Sequence, residues 1–298
     1  MKSFFRSLLL VLFIAVVADS FTMDLRGKAF LVTGSTDGIG EHTATLLATR
    51  GATVFLHGRN PSRLLETEQK IRKVAPEAQL HSFLYDFSDM QQVKQFCADV
   101  LRTTTRLDGV VNNAGVFEES FRQTKDGLEM TFAVNVAAPF IIACLLMPLL
   151  RSTAQSRILN ISSISQSGQI QLDNLQFEQG GWSSHKSYSQ SKLLMAAFSF
   201  ELAQRITAEK DTLVLCCDPG TVNTKMLLAG WGECGVDVSA ANDELTLLTQ
   251  AFDPASHGQY YVGCRKSARS KEVKDDAQRI ALWEKLERLT QCTLPPPK

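Results

Sequence analysis

Tyr188 and Lys192 stand four residues apart in Tyr188-Ser189-Gln190-Ser191-Lys192, near the front of a helix-like stretch reaching about Glu209. That spacing puts both side chains on one helical face, about 5–6 Å apart at Cβ. An ammonium beside a phenol favours the phenolate and draws its pKa down from about 10. A phenol tuned in that way can give or take the proton of an alcohol or a carbonyl. By itself the pair specifies little, because the same spacing also sets a solvated Lys beside a half-buried Tyr. Its meaning depends on what the rest of the chain brings to it.

A second cluster lies near the start. The apolar run Lys28-Ala29-Phe30-Leu31-Val32-Thr33 leads into Gly34-Ser35-Thr36-Asp37-Gly38-Ile39-Gly40, and an amphipathic stretch follows to Arg50. Strand, glycine turn, helix is the context in which such a loop holds a dinucleotide. The glycines allow a tight turn, close backbone approach to a pyrophosphate, and close packing of helix on strand. The helix N-terminus adds N–H groups and the positive end of a dipole. The next strand, 53–56, ends in His57-Gly58-Arg59-Asn60. An acidic residue here would bind a ribose 2′-hydroxyl; Arg59 suits a 2′-phosphate instead. That points to NADP(H) rather than NAD(H), although Asp37 sets one negative charge in the glycine turn.

The elements that must position these groups alternate along the chain. A helix is predicted over 61–74 and a strand over 80–85, ending in Asp86-Phe87, an adenine contact. Next come a helix over 89–101 and a strand over 107–111 ending in Asn112-Asn113-Ala114-Gly115. The helix over 126–150 holds Asn135 in an apolar run, where an amide needs partners, and Pro148 should bend or end it. The strand 157–161 ends in Ser162-Ser163, and the helix over 187–209 carries the Tyr and the Lys. The strand 213–217 ends in Asp218-Pro219-Gly220. A Gly- and Trp-containing loop, a helix over 242–251, a strand over 259–263 and an amphipathic helix to about Thr290 complete the series. The tail, 292–298, should be loose.

Strict alternation implies one doubly wound, Rossmann-type parallel sheet of about seven strands with helices on both faces. No linker or change of composition divides residues 23–291, so they form a single α/β domain. Ligands of such sheets bind beyond the carboxyl ends of the strands. Every polar cluster named above falls at such an end.

Composition narrows the function. Of 298 residues, 44% are apolar, enough for a large core. Lys plus Arg and Asp plus Glu balance at 31 each, which gives no basic surface for nucleic acid. The cysteines lack CxxC spacing and the histidines never form HxxxH, so neither a disulfide framework nor a metal site is expected. The cysteines read as reduced, mostly buried thiols. Lys2 and Arg6 precede an apolar run, 8–18, within a separate segment 1–22. It suits a signal peptide cleaved near Ala18 or a membrane anchor through residues 4–18. The sequon Asn160-Ile161-Ser162 lies on a predicted buried strand and reads as unused.

In combination, Thr33-Gly34, Gly38 and Gly40, Asn112-Asn113-Ala114-Gly115, Asn135, Ser163, Tyr188 with Lys192, and Pro219-Gly220 resemble the short-chain dehydrogenase/reductase family over about 25–263. Leu175-Gln176-Phe177-Glu178, the long insert before Tyr188, Ser191-Lys192-Leu193 and the apolar N-terminus resemble its retinol-dehydrogenase-like branch. The resemblance implies Tyr188 as general acid/base and Lys192 as the residue that lowers its pKa and holds the nicotinamide ribose. It implies Ser163, the later of the Ser162-Ser163 pair, on the substrate oxygen, and Asn135 on a water of a proton relay. Asn113, Ala114 and Gly115 would line the cofactor; Pro219, Gly220, Val222 and Thr224 would lie against the nicotinamide and pyrophosphate.

The implied activity is NADP(H)-dependent interconversion of an alcohol and a carbonyl on a small apolar substrate of retinoid, steroid or long-chain aldehyde type. An anchor implies the endoplasmic reticulum membrane; a cleaved leader implies the secretory lumen or secretion. The family often forms homodimers through the helices 126–150 and 187–209, although an apolar face on those helices is equally a core face. Met226, Leu227, Leu228, Ala229 and Trp231, with an insert around 169–184 bearing Trp182, should supply apolar substrate lining. Glu41 stands where the branch usually has a basic residue. The alternative is a non-catalytic dinucleotide-binding redox sensor, whose mark would be a broken tetrad; Asn135, Ser163, Tyr188 and Lys192 all stand.

Overall fold

The computed structural model describes residues 23–206 and 212–296. The proposed leader or anchor, 1–22, lies outside the described residues. The helix expected to reach about Glu209 ends at Arg205, because Ile206 turns to extended backbone.

Short apolar runs form the strands and amphipathic segments form the helices. In chain order these are β1 (Ala29–Val32), α1 (Gly38–Ala48), β2 (Thr53–Gly58), α2 (Pro61–Val74), β3 (Leu80–Leu84), α3 (Met90–Thr103), β4 (Gly109–Asn112), α4 (Met130–Ser152) and β5 (Ser156–Ile161). Then follow α5 (Ser184–Arg205), β6 (Thr212–Asp218), α6 (Lys225–Trp231), α7 (Asp243–Thr249), β7 (Gln259–Val262), β8 (Arg265–Ser267), α8 (Lys271–Lys274) and α9 (Asp276–Thr290). Polar side chains cap the helix starts: Asp37 on α1, Asn60 on α2, Asp89 on α3 and Ser183 on α5. Each satisfies an N–H that the helix cannot. The Ser183 cap explains why α5 begins three residues before the expected 187.

The strands form one sheet in the order β3-β2-β1-β4-β5-β6-β7-β8. All neighbours are parallel except β7 and β8, which pair antiparallel. The order reverses between β1 and β4, and the two lie side by side with Leu31 opposite Val110. A crevice therefore opens above their carboxyl ends. The eighth strand exceeds the seven expected; Arg265-Lys266-Ser267 is short, exposed and basic, traits that blunt a sheet edge and hide a strand pattern.

Alternate strand residues feed two cores. Leu31, Phe55, Val110, Ile158 and Val214 pack with α3, α4, α5 and α9. Val32, Val54, Leu56, Val111 and Leu215 pack with α1, α2 and α7. Helix α4 is long and apolar enough to cross a membrane, with mean hydropathy 2.2, yet its most apolar stretch is 89% buried inside the protein. Pro148 does not end it: the helix runs on to Ser152, and Leu146, Met147, Leu149 and Leu150 are buried around the proline. Their packing outweighs the hydrogen bond that proline forfeits. Asn160, of the sequon, is buried on β5 and bonded to Asn112 and Ser199.

Helix α9 packs on apolar faces of α4 and α5, which at this contact are core faces. Its Trp283 ring lies 4.9 Å from Phe140 and 6.1 Å from Phe198, with the Arg205 guanidinium 4.6 Å over it. The tail is not wholly loose: Cys292 is buried, Leu294 packs on the core, and Arg151 donates to the Pro295 carbonyl at 2.7 Å.

Candidate active site

The crevice is built from strand ends that hold one another. Thr33, just past β1, accepts at its hydroxyl from the backbone N–H groups of Asn113 and Ala114, both at 3.0 Å. The Asn113 amide donates back to the Thr33 and Gly34 carbonyls at 2.8 and 3.1 Å. The glycine turn and the end of β4 therefore move as one piece. Gly34 has φ +64°, and a Cβ there would lie 2.8 Å from the Ala114 Cα. A Cβ on Gly40 would lie 2.3 Å from the Asn113 amide nitrogen and 2.5 Å from the Gly34 carbonyl oxygen. Gly40→Ala is therefore expected to cost on the order of 1–3 kcal/mol through overpacking and to loosen whatever the turn binds. Chemical denaturation and ligand titration check this; an unchanged midpoint would contradict the packing.

One cleft of about 500 Å³ receives most of the predicted residues. Gly34, Thr36, Asp37, Gly38, Ile39, Arg59, Asp86, Phe87, Asn113, Ala114, Gly115, Pro219, Gly220, Val222 and Thr224 line it, together with Tyr188, Lys192 and Ser163. Of the predicted cofactor and catalytic residues, three do not. Ser35 is buried and turned inward, where its hydroxyl accepts from the His57 N–H at 2.9 Å. Gly40 acts by its missing side chain, as above. Asn135 lies in a π-helical turn of α4, Ala133–Ala137.

The Asn135 amide is fully buried. Its oxygen accepts from the Val116 N–H at 2.8 Å, and its nitrogen donates to the Val116 carbonyl and to Ser191 Oγ at 3.1 and 3.0 Å. Both amide hydrogens are used, so this side chain pins the loop after β4 to α5.

Tyr188 and Lys192 sit in the first half of α5 and are 8% and 4% exposed. The Lys192 ammonium lies 5.4 Å from the Tyr188 ring centroid and donates to the Ile161 carbonyl at 2.9 Å. Burial pushes the Tyr188 phenol up to about 12, while the Ser163 hydroxyl beside it pulls the other way. Burial brings Lys192 down to about 8. The expected fall of the Tyr pKa is thus reversed among the protein groups: removal from water outweighs the pull of the Ser163 hydroxyl. Both serines line the cleft: Ser162 donates to the Lys192 carbonyl at 2.9 Å, and Ser163 is bonded to Ser165 at 2.8 Å.

Several lining groups were not foreseen. His57 accepts from the Gly34 N–H at Nδ1 (3.0 Å), so its proton is on Nε2 and points to the Tyr85 carbonyl at 3.1 Å. Its ring stacks on Phe87 at 3.7 Å, and burial lowers it to about 4, so it is a neutral prop. Arg63, from α2, joins Arg59 at the far end of the cleft. Lys225 holds Asp37 at 2.7 Å, and Arg63 lies 3.9 Å from the same carboxylate oxygen. Asp218 is buried with one oxygen accepting from the Gly220 N–H at 3.1 Å and the other unpartnered, and burial raises its pKa.

The other end of the cleft is apolar, walled by Val116, Val134, Ile164, Met226, Leu227 and Trp231. The Trp231 ring lies 5.4 Å from Tyr188 and 5.1 Å from Phe117. Trp182 is not part of this wall; it donates to Glu129 at 3.2 Å and packs on Phe121. Nor do Leu228 and Ala229 line it, since they fall on the outer side of α6. The insert packs back instead of facing substrate: Ile170 and Leu175 are buried, and Gln190 donates to the Leu175 carbonyl at 2.7 Å.

A cleft at the sheet's reversal point, with a glycine turn at one end and a Ser–Tyr–Lys group at the other, defines an α/β dehydrogenase of the short-chain type. The family model for short chain dehydrogenases matches residues 28–230, and the chain belongs to that family, in its retinol-dehydrogenase-like branch. Human retinol dehydrogenase 14 is 30% identical over 87% of this chain and 85% of its own length. Human retinol dehydrogenase 13 is 30% identical over 90% and 86%. Among solved structures, an uncharacterized protein from Mycobacterium paratuberculosis superposes with TM-score 0.76 at 26% identity, covering 93% of this chain and 98% of that one. A short chain dehydrogenase from Shigella flexneri, solved with NADP, shares the fold with TM-score 0.66 at 23% identity, covering 82% and 100%.

Proposed function

We propose that the protein is an NADP(H)-dependent oxidoreductase that interconverts an alcohol and a carbonyl on an apolar substrate. The reading rests on one observation above others: a single cleft runs from the glycine turn and Arg59 to Tyr188, Lys192 and Ser163.

The residues present suit a nicotinamide dinucleotide. A Cβ on Gly220, which lines the cleft, would meet nothing within 4 Å. The Arg59 guanidinium makes no hydrogen bond or ion pair among the described residues and is free for a phosphate. Gly34, Gly38 and the start of α1 would hold the pyrophosphate, Asp86 and Phe87 the adenine, and Lys192 the nicotinamide ribose. When bound, the cofactor supplies or accepts the hydride.

Tyr188 handles the proton. With its pKa pushed up to about 12 it is a neutral phenol at working pH and a ready donor to a carbonyl oxygen. Ser163, beside it, would hydrogen-bond the same oxygen and stabilise charge developing there. Alcohol oxidation needs the ionised phenol, so oxidation should speed up as pH rises toward the Tyr188 pKa, and reduction should slow only as pH approaches it. The wall of Val134, Met226, Leu227 and Trp231 supports an apolar substrate, consistent with relatives named for retinol. Retention at a membrane through residues 4–18 fits such a substrate and is part of the proposal.

Arg59→Ala is expected to raise the KM for NADPH about tenfold or more, as loss of a charge-assisted phosphate contact of about 1.5–3 kcal/mol implies, and to change that for NADH little. Steady-state kinetics with both cofactors checks this. Equal changes for the two would remove Arg59 from the 2′-phosphate.

A further inference from the structure

Helix α6 lies over the cleft but has no buried residue. Its segment is closed at the base: Asn223 and Gly235 exchange two hydrogen bonds of 2.8 Å, and the Val236 N–H donates to the Thr221 carbonyl at 2.9 Å. What seats the helix lies at its two ends. At the far end His185 Nε2 meets the Gly230 carbonyl at 3.1 Å and Trp231 packs on Phe117. At the near end Lys225 pairs with Asp37 at 2.7 Å. Among the described residues this is the one ion pair that joins α6 to the glycine turn across the cleft.

Asp37 has two separable jobs. One oxygen caps α1 by accepting from the Gly38 N–H at 2.9 Å, and the other takes Lys225. In sequence it reads only as a charge that opposes a phosphorylated cofactor. With Lys225 and Arg63 both turned toward it, that charge is already countered.

We propose that Asp37 is a positioning residue: by holding Lys225 it seats α6 over the bound dinucleotide, slows cofactor release, and sets Met226, Leu227 and Trp231 against the substrate. This rests on the cofactor reading given above. It predicts the opposite sign from simple repulsion. Asn preserves the cap, so Asp37→Asn removes the charge alone.

The test is stopped-flow release of NADPH and NADH from the full chain, at low and high salt. Asp37→Asn should release both cofactors about three- to fivefold faster at low salt, the scale of an exposed ion pair, and the difference should fade at high salt. Lys225→Gln should do the same, the double variant should go no further, and Asp37→Glu should restore slow release. Tighter NADPH binding in Asp37→Asn with NADH unchanged would overturn the proposal in favour of repulsion. So would wild-type release from Lys225→Gln, an exposed position that keeps the test open if Asp37→Asn fails to fold. Wild-type release in these variants with turnover still dependent on Tyr188 would sink this proposal alone. A wild-type chain that binds neither cofactor would sink the functional reading with it.

Discussion

Tyr188→Phe should lower turnover by about 10²–10⁴-fold, the span that a positioned acid/base contributes, while the protein folds and binds cofactor as before. The phenol is 8% exposed, and its ring packs against Phe117 and Trp231. Phe keeps that packing and removes only the hydroxyl. The loss should fall on kcat and kcat/KM alike, because the proton is moved only as the carbon–oxygen bond changes. The wild-type rate of oxidation should climb as pH rises toward about 12 and that of reduction should fall only near that value, and the variant should lose both dependences. Steady-state rates in the two directions, with cofactor binding followed by fluorescence, decide it. Turnover at the wild-type rate in Tyr188→Phe would end the proposed chemistry.

Lys192→Met should lose about 10²-fold in kcat, the lower end of what an acid/base contributes, and, unlike the Tyr variant, weaken cofactor binding as well. The ammonium is buried, fixed to the Ile161 carbonyl beside the Tyr188 ring. On the proposed reading one substitution therefore touches both the phenol's environment and the ribose contact. Unaltered cofactor affinity would contradict the ribose role. Stability offers an independent reading. Burial lowers Lys192 from 10.5 to about 8 in the folded protein. Between those values the unfolded chain holds the more protons, so this residue makes stability rise with pH across that window. The Met variant should lose that rise. Thermal melts across the window from about 8 to 10.5 compare the two proteins; parallel curves would mean that Lys192 does not titrate there.

Local patterns made much of this legible. The glycine turn lay between a strand and a helix, the Tyr–Lys pair had helical spacing, and polar residues closed each apolar run, so the sheet and the ends of the cleft followed from periodicity. The failures needed tertiary knowledge. Arg63 and Lys225 come from two helices far apart in sequence, and both reach Asp37. Trp182 and Trp231 are both tryptophans in glycine-bearing segments, and only packing tells which one faces the cleft. Asn135 announced that it needed partners, but Val116 and Ser191 could not be named from sequence. The Tyr188 shift went the wrong way because the spacing of the pair says nothing about how far both groups leave water. Helix α9 was expected, but periodicity could not name Phe140 and Phe198 as the partners of Trp283.

The most direct test follows a labelled hydride. The full chain is incubated with NADPH carrying deuterium at nicotinamide C4, on each face in turn, and a panel of apolar aldehydes and ketones. Alcohols with deuterium on the carbinol carbon are expected from one of the two labels, and none above background from Tyr188→Phe. Tight NADPH binding with no deuterium transferred to any carbonyl would contradict the proposed chemistry and leave a redox-sensing binder in its place.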